Sequence, residues 1–121
     1  MKILSIDHVQ IAMPQGEEEK ARAFYANVLS FTEIPKPAEL AKRRGAWFQS
    51  EGVQLHLGVE QDIHPARRAR PAFMVDELDG LITKAQSAGF EIDTSQPALK
   101  GYKRAHVFDL FGNRIELMQR L

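Results

Sequence analysis

The chain contains no cysteine. That removes disulfide frameworks, thiolate-ligated zinc, iron–sulfur clusters and thiol nucleophiles from consideration. It also has no net charge, because 16 Lys and Arg residues are matched by 16 Asp and Glu. A dedicated nucleic-acid binder needs a surplus of cations to displace counterions, so none is expected here. Long apolar runs are missing as well. The stretch Ile3-Leu4-Ser5-Ile6 stops at Asp7, too short for a signal-peptide core, and nothing later approaches a membrane span. These absences lead to the expectation of a cytoplasmic protein that engages neither nucleic acid nor membrane. What remains is ordinary globular material: 121 residues with 44% apolar content, enough for one core of modest size.

Hydrophobic periodicity divides the chain into two similar halves. Val9 and Ile11 alternate with His8 and Gln10 in a strand predicted over Ile6 to Met13. Pro14-Gln15-Gly16 breaks it. Glu17, Glu18 and Glu19 then supply negative charge suited to a helix start, and Ala21, Phe24, Val28 and Phe31 mark an apolar stripe ending near Ser30. Strands are expected around Ala46–Gln49 and Val53–Val59, joined at Glu51-Gly52, and a short helical turn over Ala38 to Arg43. The second half repeats this order. Ala72 to Val75 reads as a strand; Leu78, Leu81, Ile82, Ala85 and Ala88 form a helical stripe that Gly89 caps. Strands follow at Phe90–Ile92, Arg104–Asp109 and Asn113–Gln119. The halves also echo in residues: Gly52-Val53-Gln54-Leu55-His56-Leu57 lines up with Gly112-Asn113-Arg114-Ile115-Glu116-Leu117, sixty positions on. The expected fold is α+β, one domain of two β-α-β-β-β modules, 1–62 and 70–121, with 63–69 as linker.

Strand alternation then sorts the polar residues. If Val9, Ile11, Val53, Leu55, Leu57, Phe73, Val75, Ile115 and Leu117 face the helices, then His8, His56, Arg70 and Glu116 line the opposite sheet face. Two imidazoles and a carboxylate form a donor set for a divalent transition metal with positions left open for substrate. Each member also has a plainer reading: a hydrogen-bonded strand histidine for His8, a solvated strand carboxylate for Glu116. His64, beside Pro65, reads as an exposed loop residue. Trp47 and Phe48 read as core, and Arg67-Arg68-Ala69-Arg70 as a solvated linker run.

The sequence resembles the vicinal oxygen chelate superfamily, which includes glyoxalase I, bleomycin-resistance proteins, fosfomycin-modifying enzymes and extradiol dioxygenases. Three stretches carry the resemblance. They are Ile6-Asp7-His8-Val9, then Ala23-Phe24-Tyr25 with Val28-Leu29, then Asp109-Leu110-Phe111-Gly112-Asn113-Arg114-Ile115-Glu116-Leu117. It implies paired modules curled into an open cleft, commonly in a homodimer, that holds a divalent metal. The family's ligand positions fall on His8, His56, Arg70 and Glu116. Arginine keeps its proton near neutral pH and cannot ligate. Two alternatives follow: a three-ligand site of His8, His56 and Glu116 holding zinc, nickel, manganese or iron, or no metal at all. In the first, Arg70 clamps an anionic substrate group. The family pattern also puts Arg104 and His106 on the cleft wall as substrate-binding residues, and gives Glu116 a catalytic role as base. The implied activities are a metal-dependent lyase, isomerase or dioxygenase acting on a small oxygen-rich or anionic substrate. The competing implication is metal-free sequestration of a small molecule, as in the bleomycin-resistance branch.

Overall fold

The computed structural model describes all of residues 1–121. The chain divides into two compact units, Met1–Ile63 and His64–Leu121. The first contains strand β1 (Val9–Met13), helix α1 (Glu18–Ala21) and strands β2 (Thr32–Ile34), β3 (Gly45–Ser50) and β4 (Val53–Val59). The second contains β5 (Ala72–Met74), α2 (Leu78–Ser87), β6 (Ile92–Asp93), β7 (Tyr102–Phe108) and β8 (Arg114–Arg120). The strand orders are β1-β4-β3-β2 and β5-β8-β7-β6. In each sheet the first pairing is parallel and the other two antiparallel. This is the expected repeat of β-α-β-β-β modules, each a mixed four-stranded sheet. No helix is long and apolar enough to cross a membrane.

Helix α1 departs from the uninterrupted helix predicted to Ser30. After Ala21 the chain widens into a π-helical turn over Arg22–Ala26, where the Asn27 and Leu29 amides donate to the Arg22 and Phe24 carbonyls. The wider turn still brings Phe24, Tyr25 and Val28 inward. Tyr25 lies fully buried with its ring centroid 5.7 Å from that of Phe48. Leu55, Leu57, Ala46 and Met13 complete this core. In the second unit Leu78, Ala85 and Phe90 cover Phe73, Ala105, Val107, Ile115 and Leu117. Each fully buried large side chain contributes about 1.5–3 kcal/mol of transfer free energy, enough to fix which sheet face meets the helix. Helix α2 ends as expected at Gly89, whose φ of 87° provides the left-handed cap.

The turn before β8 has a specific support. Asp109 Oδ1 accepts the amides of Phe111 and Asn113, its Oδ2 accepts from the Asn113 side chain, and Gly112 takes a φ of 89°. The Asp109-to-Asn113 segment therefore closes on itself and sets the register in which β8 enters the sheet.

Candidate functional site

With the apolar sheet faces committed to the helices, period-two alternation fixes which side chains occupy the other faces. In the first unit Gln10, His56 and Trp47 are successive cross-strand partners. Their rings organise into a stack. Trp47 and His56 lie 3.9 Å apart at 3°, and His8 covers the other side of His56 at 4.1 Å and 16°. His56 is buried, which lowers its imidazole pKa, and the neighbouring His8 pushes it further down. Its Nε2 is 3.2 Å from the Gln54 side-chain amide. His8 sits one residue before β1, partly exposed, with Nδ1 2.9 Å from Asp7.

The second unit builds an ionic cluster at the corresponding positions. Ala72, Glu116, His106 and Asp93 are successive cross-strand partners. Arg70 precedes Ala72 by two residues, as His8 precedes Gln10, and so is the counterpart of His8. Glu116, 5% exposed, is enclosed by donors. Arg70 donates through Nε at 3.0 Å and through a second nitrogen at 2.9 Å, both to Oε1. His106 Nε2 lies 3.3 Å from the same oxygen, and an Arg104 nitrogen 3.3 Å from Oε2. Burial alone would raise the Glu116 carboxyl; hydrogen bonds from His106, Arg70 and Arg104 outweigh it and hold the carboxyl below its ordinary value. Arg104 is held in turn by the Pro97 carbonyl, at 3.1 and 2.6 Å.

Arg114 adds a constraint on His106. Its Nε and a terminal nitrogen reach His106 Nδ1 at 3.0 and 2.6 Å. A guanidinium only donates, so Nδ1 must be unprotonated and the ring proton sits on Nε2, facing Glu116. Burial lowers the His106 pKa, as do the charges of Arg114 and Arg70, against a raising influence from Glu116. The face carries three guanidinium charges (Arg70, Arg104, Arg114) and two carboxylates (Glu116 and Asp93, itself paired with Arg114 at 3.4 Å). With His106 neutral, one positive charge is left over.

His8 and His56 belong to the aromatic stack of the first unit, and Arg70, Arg104, His106 and Glu116 to the cluster of the second. No group of three or more His, Cys, Asp or Glu side chains is arranged to hold a metal ion. As they stand, these side chains do not fit one. Stacked, nearly parallel imidazoles direct their in-plane lone pairs side by side, whereas two ligands of one ion must aim at a common point. The Glu116 oxygens already serve two guanidiniums and an imidazole. Sequence reasoning missed three participants. Trp47, read as core, lies half-buried on the polar face, while its neighbour Phe48 is fully buried. Arg114 and Asp93 went unremarked, although Arg114 shares the strand parity of Glu116.

Residues 5–117 match the Glyoxalase/Bleomycin resistance protein/Dioxygenase superfamily. No curated protein matches the chain. Among solved structures, a glyoxalase family protein from Bacillus anthracis is 45% identical. That match has a TM-score of 0.93 and covers 100% of this chain and 98% of the other. The fosfomycin resistance protein FosX from Listeria monocytogenes, complexed with Mn(II) and sulfate, is 17% identical with a TM-score of 0.79, over 99% and 93% of the two chains. TnmS3, an antibiotic binding protein from Streptomyces sp. CB03234, is 22% identical with a TM-score of 0.72, over 98% and 100%. The last two likenesses concern the fold alone.

Proposed function

The chain belongs to the glyoxalase/bleomycin-resistance/dioxygenase superfamily, and from that premise we propose that it binds a small molecule bearing an anionic group on the polar sheet face of its second unit. One observation carries this reading: the face carries three guanidiniums, two of them on the buried Glu116 carboxylate and the third on His106 and Asp93, against only those two carboxylates, so it has a positive charge to spare. An incoming anion is attracted there and a cation repelled. Arg70 and Arg104 are the recognition cations, each with five N–H donors of which Glu116 and backbone carbonyls use only some. His106 is a fixed donor, and Glu116 aligns the donors around it. The donors stand in place to hold an anion, and the reading adopted is binding and sequestration. TnmS3, of the same fold, is an antibiotic binding protein.

A metal-dependent lyase, isomerase or dioxygenase is the second reading. It draws on His8 and His56 from the first unit and Glu116 from the second, on a buried neutral His56, and on the Mn(II) bound by the fold relative FosX. It requires His8 and His56 to leave their stack and Glu116 to exchange guanidinium partners. Calorimetry with methylphosphonate and sulfate as anion probes, and separately with Mn(II), Zn(II), Ni(II) and Fe(II), decides between the two. The expected result is saturable anion binding, weakened about tenfold in Arg104→Ala by the loss of one charge-assisted hydrogen bond, and no saturable metal binding. Metal binding that His8→Ala or His56→Ala abolishes and Arg70→His tightens would replace the first reading with the second.

A further inference from the structure

The first unit contains a cavity of about 280 Å³ that the cluster around Glu116 does not use. Gln10, Trp47 and Gly58 form its floor on the polar face of the sheet, and Lys36, Arg43 and Arg44 rise beside it from the segment between β2 and β3. The segment is tied in place. Lys36 Nζ donates to the carbonyls of Arg43 and Arg44, bridging its two ends. Gly45 then turns the chain into β3 with a φ of 107°, packed so closely that a Cβ there would lie 2.2 Å from the Leu57 carbonyl oxygen. The tether occupies the Lys36 ammonium but leaves the guanidiniums free. Neither Arg43 nor Arg44 is paired with a carboxylate, both are exposed, and no acidic residue lines the cavity.

Three cations and one indole around an acid-free cavity, in a chain with no net charge, select for a particular chemistry. Guanidiniums recognise carboxylates and phosphates through two parallel N–H donors, and an indole face recognises a flat π-system. Size narrows the choice further. A protein cavity of about 150 Å³ takes up benzene, so 280 Å³ accommodates one aromatic ring with a charged substituent. We infer that this cavity is a binding site for an aromatic oxyanion, an aryl carboxylate or aryl phosphate, with its ring against Trp47 and its charged group on Arg43 and Arg44.

The chain reports on this site directly, because Trp47 is its only tryptophan. Titrating the intact protein with benzoate and with phenyl phosphate should change tryptophan emission saturably. In Arg43→Ala/Arg44→Ala the midpoint should rise at least tenfold, since the loss of even one charge-assisted hydrogen bond is worth about that much. Arg43→Lys/Arg44→Lys should recover part of it. Both residues are exposed, and circular dichroism will show the double variants folded. Benzyl alcohol, which has the ring without the charge, should bind at least tenfold more weakly than benzoate. The inference is overturned if neither aryl acid gives a saturable change. It is equally overturned if the midpoint is the same in the double-alanine variant, or if benzyl alcohol matches benzoate.

Discussion

Replacing Glu116 by glutamine removes one charge and almost no volume, and the structure states what that charge does. Its carboxylate accepts two nitrogens of Arg70 at 3.0 and 2.9 Å and one each from His106 and Arg104 at 3.3 Å. An amide can present one oxygen to Arg70, but its NH2 then faces Arg104 donor to donor. At about 4 Å and an effective dielectric of about 20, each guanidinium–carboxylate pair is worth roughly 4 kcal/mol before desolvation. Removing one partner of a buried pair typically costs about 3–5 kcal/mol. Side-chain exposures of 28% for Arg70 and 12% for Arg104 let both recover some hydration, which brings the expected loss to about 2–3 kcal/mol. For a chain of this length that is a fall of about 10 °C in Tm. Thermal melts at neutral pH followed by circular dichroism measure it, with the exposed Glu39→Gln as a control expected within about 0.5 kcal/mol of the parent. The parent and Glu116→Gln curves should converge in acid. A carboxyl whose folded pKa is depressed stabilises above its unfolded value, and that stability is lost as pH falls through the folded value. A loss below about 0.5 kcal/mol, or curves that stay apart in acid, would refute the account of Glu116 as the anchor of the cluster.

Two further outcomes follow from the histidines. His56 and His106 both have lowered pKa values, so below about pH 6.5 the unfolded chain takes up protons that the folded chain refuses. Stability should fall from there toward the folded values by up to about 1.4 kcal/mol per pH unit for each site, and His56→Gln should show a visibly shallower decline in Tm against pH. Arg114→Met should remove a positive charge from beside His106, so that imidazole titration followed by NMR moves upward while the Glu116 carboxylate keeps the proton of the neutral ring on Nε2. An unmoved titration would mean that the Arg114 charge does not hold the His106 pKa down.

The β-α-β-β-β repeat was legible because burial imposes strict periods, and the positions of Leu55, Leu57, Ile115 and Leu117 obey them without exception. Parity also placed His56 and Glu116 on polar sheet faces. It failed at Ala46-Trp47-Phe48, where three apolar residues in succession leave alternation with no polar marker. Only the pairing of Trp47 with His56 reveals which of them leaves the core. The π-helical turn was hidden for a related reason. Its stripe of Ala21, Phe24 and Val28 fits a regular helix equally well, and the fully buried Tyr25 is what the wider turn accommodates. What alternation could not convey was association. Residue types marked Glu116 as a ligand, whereas the structure gives it guanidinium partners from Arg70 and Arg104, which are 46 and 12 positions away in sequence.

Two sheets with one pairing scheme carry unlike chemistry at matched positions: His8, His56 and Trp47 in one, Arg70, Glu116 and His106 in the other. The pairing scheme therefore accommodates unlike chemistry on its polar face, while the apolar side chains that meet the helices point the other way. Arg70→His/Glu116→His/His106→Trp would carry the residue types of the stack into the second unit and leave the apolar core sequence unchanged, but it removes the buried ion pairs of Glu116 and must fit an indole where His106 is 1% exposed. The converse triple would install a guanidinium–carboxylate cluster in the first. A scaffold that carries two dissimilar recognition layers on one pairing scheme is a practical starting point for engineering two binding faces into a chain of 121 residues.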